Sequence, residues 1–308
     1  MYINLQLIFK ILLIVMSIKI NHFFTPLRIC NAQSVSPRTF ITAYKVGVLN
    51  VQRFKHLKNT RILNHFYLST SNNQNNLILE GMKYKKIISL SPGGYKGFYV
   101  LGICKFLKEN YNLDNYVFSG ASAGAWNSLM LCYKNNIDEI IDTILDSNLE
   151  KSPSIYEIEQ SIKRIIVNQY TKDDFELNRL FVGVTIIEKY KTNTTIYNDF
   201  ENLEDAVNSC IASSHIPLVT GGLVNIYRNM LSFDGGFSKY PYLNASKSVL
   251  HIHPNMWNHF SNTTGRMKIT DYTTLFSKSK FPFREMVENG YTDSKKNKEF
   301  LDGIFIPR

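Results

Sequence analysis

The sequence predicts a three-layer α/β/α fold built on a mostly parallel central sheet, and three observations predict it. Short apolar runs of strand length alternate with longer stretches of helical periodicity. Several of the strand-like runs end in glycine-rich turns. The chain of 308 residues is 44% hydrophobic and 19% charged, so it can cover both faces of such a sheet with a sizeable core.

The elements follow in chain order. Residues 85–91 read as a strand, with Ile87, Ile88 and Leu90 as a short apolar run. Pro92-Gly93-Gly94-Tyr95-Lys96-Gly97 is the loop that ends it. Leu101, Cys104, Phe106 and Leu107 then recur at helical spacing over 98–109. Tyr116-Val117-Phe118 is a second strand running into Gly120-Ala121-Ser122-Ala123-Gly124, and 125–133 is helical. Residues 137–149 and 155–167 carry amphipathic helix patterns. Residues 181–187 and 194–197 read as strands, Leu203–Ser213 as a helix, and 231–233 as a strand ending at Asp234-Gly235-Gly236. A further strand is expected over 249–253.

The regions before and after this core are different. Residues 1–20 are nearly all apolar, interrupted by Lys10 and Lys19. A spanning helix needs about 20 apolar residues, and a lysine near the middle is costly there. A signal or anchor segment, an interfacial helix and a plain hydrophobic leader all remain open, and membrane association or targeting is the expectation. Residues 21–82 are basic and polar and end in a linker-like run, Ser69 to Asn76. The expected organisation is an N-terminal extension over 1–82, a catalytic domain over 83–255 and a C-terminal extension over 256–308. The net charge of +10 favours anionic surfaces. Neither zinc-ligand spacing nor an RNA-binding signature accompanies it, so nucleic acid is not the expected partner. Cys30, Cys104, Cys132 and Cys210 have no framework spacing, and the last three fall in apolar helical patterns as buried thiols.

Three motifs carry chemistry. Gly120-Ala121-Ser122-Ala123-Gly124 fits G-x-S-x-G, in which a strand-to-helix turn lifts a serine hydroxyl clear of the sheet. The following helix dipole favours negative charge at that point. Gly93-Gly94-Tyr95-Lys96-Gly97 gathers backbone N–H groups after a strand, as an oxyanion or phosphate nest does. It lacks the endings of a P-loop or a dinucleotide site. Only one strand–loop–helix–strand unit separates it from Ser122, which sets the two side by side at adjacent strand ends. Asp234-Gly235-Gly236 exposes a carboxylate at a strand end in a backbone-lined turn.

Strand, glycine loop with a basic residue, G-x-S-x-G and D-G-G, in that order, resemble the patatin-like phospholipase family over roughly residues 85–250. Ala212 to Gly222 and Phe283 to Asp293 are similar to segments of its adiponutrin and triglyceride-lipase branch, the second being a short helix ending in the Gly290-Tyr291 pair. The resemblance implies a lipid acyl hydrolase with a Ser122–Asp234 dyad. It places the oxyanion on the N–H groups of Gly93 and Gly94, with Tyr95 beside them, and gives Lys96, Gly97, Gly120, Gly124, Gly235 and Gly236 motif-supporting places. It implies phospholipid or acylglycerol substrates at a membrane or lipid surface, with no metal and no cofactor. Pro92 departs from the family, which usually has glycine there; proline has no N–H to donate. Phe237 to Pro241 also depart from the branch's usual continuation. Two alternatives stay open: an α/β-hydrolase esterase with a Ser–Asp–His triad drawing on His251 or His253, and a catalytically weak homologue that binds membrane lipid.

Overall fold

The computed structural model describes residues 85–152, 154–188, 191–244, 247–257 and 282–308. The apolar leader, the polar extension to residue 82 and Cys30 lie outside the described residues.

The alternation of apolar runs and helical stretches folds as a seven-stranded mixed sheet with helices on both sides. β1 (Lys86–Leu90) and β2 (Tyr116–Gly120) are parallel neighbours, and nearly every residue in them is buried. That is why they read as unbroken apolar runs rather than as alternating ones. β3 (Leu180–Glu188) lies parallel beside β2, and β7 (Ser248–Ile252) lies parallel on the far side of β1. β4 (Lys191–Tyr197) pairs antiparallel with β3, and the hairpin of β5 (Asn225–Tyr227) and β6 (Met230–Phe233) joins the sheet through an antiparallel β6–β3 ladder. Five of the seven strands therefore point the same way.

α1 (Gly97–Asn110) follows the glycine loop and α2 (Ala123–Leu131) follows the serine turn. α3 (Ile137–Asp146) and α4 (Ile155–Gln169) are capped by Asn136 and Ser154, whose side chains accept from backbone N–H groups of the first turn. α5 (Leu203–Ser213) is capped in the same way by Asn202. Cys104, Cys132 and Cys210 are buried free thiols in this core.

α6 (Phe283–Lys296) and the short α7 (Lys298–Asp302) close the chain against α1. A Cβ on Gly102 would sit 2.0 Å from the Val287 carbonyl oxygen, and one on Gly290 would sit 2.0 Å from that of Tyr99. The two helices thus touch backbone to backbone, which only glycine permits. α6 does not stop at Gly290-Tyr291 but runs one and a half turns further. Its first residue, Phe283, is fully buried and stacks on Phe98 with ring centres 4.2 Å apart, and on Tyr95 at 5.7 Å. The C-terminal segment is thereby packed on the glycine loop.

Candidate active site

Sheet topology brings the chemistry together. β4 occupies one edge of β3 from Val182 to Glu188. β2 pairs with residues 180–182 and β6 with 185–187, so both must share the other edge. β2 runs parallel to β3 and β6 antiparallel, so they approach head to head and their carboxyl ends meet opposite Gly183 and Val184. Ser122 leaves one end and Asp234 the other. Their side chains meet there: Ser122 Oγ donates to Asp234 Oδ2 at 2.7 Å.

The serine turn is strained in the way its sequence demands. Ser122 has φ 55° and ψ −127°, a conformation that costs a non-glycine residue about 1–3 kcal/mol. Its small neighbours make the turn possible: a Cβ on Gly124 would sit 2.1 Å from the Leu90 carbonyl oxygen. The Ser122 N–H does not face the cleft. It donates to Ser213 Oγ at 2.8 Å, and Ser213 donates in turn to the Gly183 carbonyl at 2.7 Å, in the gap between the two strand ends. Ser213 therefore pins the serine turn to β3.

Asp234 is buried and has no ion pair among the described residues. Its Oδ1 accepts the Gly236 N–H at 2.6 Å, and its own N–H donates to the His215 carbonyl at 2.8 Å. Burial raises its pKa to about 6, against the opposing pull of the Ser122 and Gly236 hydrogen bonds. No histidine side chain hydrogen-bonds to Ser122 or Asp234 among the described residues. His251 Nε2 instead lies 2.7 Å from Ser91 Oγ, and His215 is buried behind the Asp234 turn.

The glycine loop lies beside the serine, as one strand–loop–helix–strand unit requires. Gly94 has φ 52° and begins a single 3-10 turn over Gly94–Lys96. Within it the Lys96 N–H donates to the Gly93 carbonyl, and the Gly97 N–H to those of Gly94 and Tyr95. These turn bonds do not use the N–H groups of Gly93 and Gly94. Asn127 of α2 donates to the Gly97 carbonyl at 3.0 Å, tying the loop to the helix after Ser122. Pro92 packs over the D-G-G turn: a Cβ on Gly236 would lie 3.1 Å from its ring.

A cleft of about 720 Å³, its mouth included, opens in front of Ser122 and Gly94. Its walls are largely apolar, with Phe98, Leu101, Met130, Ile144, Ile158 and Ile162 among them. Among the described residues the carboxyl of Glu159 on α4 is the one that interrupts them. Sequence reasoning brought Ser122, Asp234 and the Gly93–Gly94 loop to one place, and the structure sets them there. It passed over Ser213, Asn127 and Glu159. The repeated Ile155, Ile158, Ile162 spacing of α4 did mark a helix with an apolar face, and a glutamate within that face was the available signal.

A model of patatin-like phospholipases matches residues 88–245, a span that holds the glycine loop, the serine turn and the aspartate turn. Comparison of the chain with curated proteins finds no significant match. The matched span exceeds half of the chain and ends just beyond the strand whose carboxyl end carries Asp234; the chain belongs to the patatin-like phospholipase family, a family of lipid acyl hydrolases.

Proposed function

We propose that the protein hydrolyses acyl esters of phospholipids or acylglycerols with Ser122 as nucleophile and Asp234 as its base. The 2.7 Å Ser122–Asp234 hydrogen bond at the head of an apolar cleft is the observation that carries this reading. Asp234 takes the hydroxyl proton as Ser122 Oγ bonds to the ester carbonyl carbon. The carbonyl oxygen becomes an oxyanion, held by the N–H groups of Gly93 and Gly94 with Tyr95 beside them. Collapse of this intermediate expels the alcohol, which leaves with the proton from Asp234. Asp234 then takes a proton from water as the water oxygen bonds to the acyl carbon; collapse breaks the bond to Ser122 Oγ, Asp234 returns the proton to Oγ, and the fatty acid departs. A base with pKa near 6 suits both halves: it is ionised at neutral pH and returns its proton readily. Pairing of His251 with Ser91 favours the dyad over a histidine triad.

Two finer points belong to the same reading. The Ala212 to Gly222 segment supplies Ser213 and Thr220 to the site, and α6 braces the glycine loop, which supports the adiponutrin and triglyceride-lipase branch. Leu223, Val224 and Ile226 are more than half exposed close along the chain to Thr220 of the cleft, and such a patch suits contact with a lipid surface. Among the described residues no helix is long and apolar enough to cross a membrane. The leader expected to carry attachment lies outside them.

Purified full-length protein incubated with mixed phospholipid and acylglycerol dispersions is expected to release free fatty acid, and Ser122→Ala is expected to release none. Retention of activity within about tenfold of wild type in the alanine variant overturns the nucleophile assignment.

A further inference from the structure

Glu159 on α4 lies between Ile158 and Ile162 along the wall of the cleft, but its carboxyl is buried within the protein. Nothing in the two-residue mechanism uses it, and a buried carboxyl costs stability that an apolar residue here would not. Its partners set it apart. Ser214, which caps the end of α5, is hydrogen-bonded to Oε1. The indole N–H of Trp126 on α2 lies between Ser214 Oγ, at 3.4 Å, and the Glu159 carboxyl, and bonds to both.

Each partner is one step from Ser122. Ser214 follows Ser213, whose hydroxyl accepts the Ser122 N–H. Trp126 belongs to the first turn of α2, and its backbone N–H donates to the Ser122 carbonyl at 3.5 Å. Ser122 is thus held at its N–H by the neighbour of one partner and at its carbonyl by the backbone of the other. A single carboxyl on a third helix ties the two partners together. The turn they secure is strained, so Ser122 keeps its φ of 55° only while its surroundings impose it.

The hydroxyl of Ser214 decides which form of the carboxyl suits this tie. Ser214 Oγ also lies 2.9 Å from the Cys210 carbonyl, and its one hydrogen serves one acceptor well. A protonated Glu159 gives its O–H to Ser214, Ser214 gives its own to Cys210, and the carboxyl accepts from the indole. An ionised Glu159 draws the Ser214 hydrogen away from Cys210. The titratable groups that face the carboxyl are Asp234 beyond β6, Tyr95 of the glycine loop and Cys210 of α5, and none of them brings a positive charge. Burial, with the Asp234 charge adding to it, pushes Glu159 up to about 8, whereas Asp234 is raised to about 6. Between those two values the base is ionised and the tie is whole.

We propose that Glu159 is a positioning residue whose carboxyl, through Ser214 and Trp126, holds the strained Ser122 turn with its hydroxyl aimed at Asp234. The inference rests on the acyl-hydrolase reading of Ser122. Ionisation of Glu159 loosens the tie and adds a second negative charge near Asp234, so turnover falls as pH rises through about 8.

The kcat and KM of the full-length protein on a soluble butyrate ester, measured from about pH 5 to pH 9, test this. Wild-type kcat is expected to rise through about 6 and to fall through about 8. Glu159→Gln keeps a donor for Ser214 and an acceptor for Trp126 without a charge; it is expected to retain most of kcat at neutral pH and to lose the alkaline fall. Glu159→Leu removes both bonds and is expected to lower kcat about tenfold, the worth of one lost hydrogen bond, with KM little changed. A Glu159→Leu kcat within about twofold of wild type overturns the proposal. So does a Gln variant as slow as the Leu variant, or an alkaline fall that persists in Gln. Should Glu159→Leu fail to fold, the Gln profile decides alone. Absence of wild-type turnover removes the acyl-hydrolase reading and this proposal with it. Turnover that Ser122→Ala abolishes but that neither Glu159 variant alters removes this proposal alone.

Discussion

At the amino ends of the parallel strands, Arg179 is buried just before β3 and each of its three nitrogens donates a hydrogen bond. Nε donates to the Tyr116 carbonyl at 2.8 Å, one terminal nitrogen to the Leu113 carbonyl and the other to Glu176, and the guanidinium lies 4.9 Å from the Phe118 ring centre. At the carboxyl ends, Asp234 and Glu159 are as deeply buried, but neither has an ion pair among the described residues, and burial raises the pKa of both. The difference separates two uses of a buried charge. A charge that ties loops together is saturated, because an unmet one would cost stability. A charge that meets a substrate must keep capacity in reserve, and the fold carries that cost as raised pKa values and a strained serine.

Asp234→Asn should break the comparison most visibly. The amide cannot take the Ser122 proton, so the expected loss in kcat/KM for a soluble ester is at least about 10²–10⁴-fold, the worth of a general base. Stability should move the other way. Asp234 is raised from its ordinary 3.8 to about 6, so the folded state prefers the protonated form. Stability from that preference is present below pH 4 and is lost as pH rises through about 6. At pH 8 the asparagine variant should therefore be more stable than wild type, by up to roughly 3 kcal/mol at about 1.36 kcal/mol per pKa unit. The gain should vanish as unfolding is repeated toward pH 4. In wild type kcat/KM should rise with pH through about 6 as Asp234 ionises. His251→Ala, by contrast, should cost less than about tenfold; a loss matching that of Asp234→Asn would install a histidine in the mechanism.

Arg179→Met tests the other end. It leaves the Leu113 and Tyr116 carbonyls without their donor and should cost about 3–5 kcal/mol in chemical denaturation, as loss of one member of a buried polar set does. The folded protein should keep wild-type kcat/KM. A stable variant with poor turnover would mean that the two ends are coupled through β2 and β3 and that the contrast between them is misdrawn.

The sequence disclosed the site unevenly, for physical reasons. Ser122, Asp234 and the Gly93–Gly94 loop are legible because each lies in a turn that demands consecutive small residues, and such runs stand out. The parallel strands are legible because burial on both faces leaves them unbroken. β6 is legible over 231–233, but β5 is not, because Ile226 is exposed and β5 has only three residues to set a pattern. The resemblance to the family branch puts a helix end at Gly290-Tyr291. The structure uses that glycine for contact with Gly102, a pairing across 188 residues that no local pattern records. Ser213 and Glu159 were missed for the same reason: each is an ordinary helix residue until tertiary packing sets it beside Ser122.

Pro92→Gly gives the smallest expected effect and bears on how the reserve of donors at the active end is set. The family usually has glycine here, and a glycine would add an N–H next to those of Gly93 and Gly94. Proline instead fixes φ near −65° and offers none. Its ring packs over Gly236, whose N–H holds Asp234 Oδ1. The residue thus presses the glycine loop onto the aspartate turn, a shaping role that needs no donor. Glycine removes the ring contact and widens the unfolded ensemble, which should lower stability by about 0.4–1 kcal/mol. At about 2–4 °C per kcal/mol for a domain of this size, the melting temperature should fall by a few degrees at most. The rate on a soluble ester should stay flat or fall slightly as the Asp234 turn loosens. A rate increase would show instead that the added N–H reaches the oxyanion, by about tenfold for each 1.4 kcal/mol of transition-state stabilisation. In that outcome the donor set of Gly93 and Gly94 is short by one, and the native chain is a hydrolase held below its capacity by a single ring.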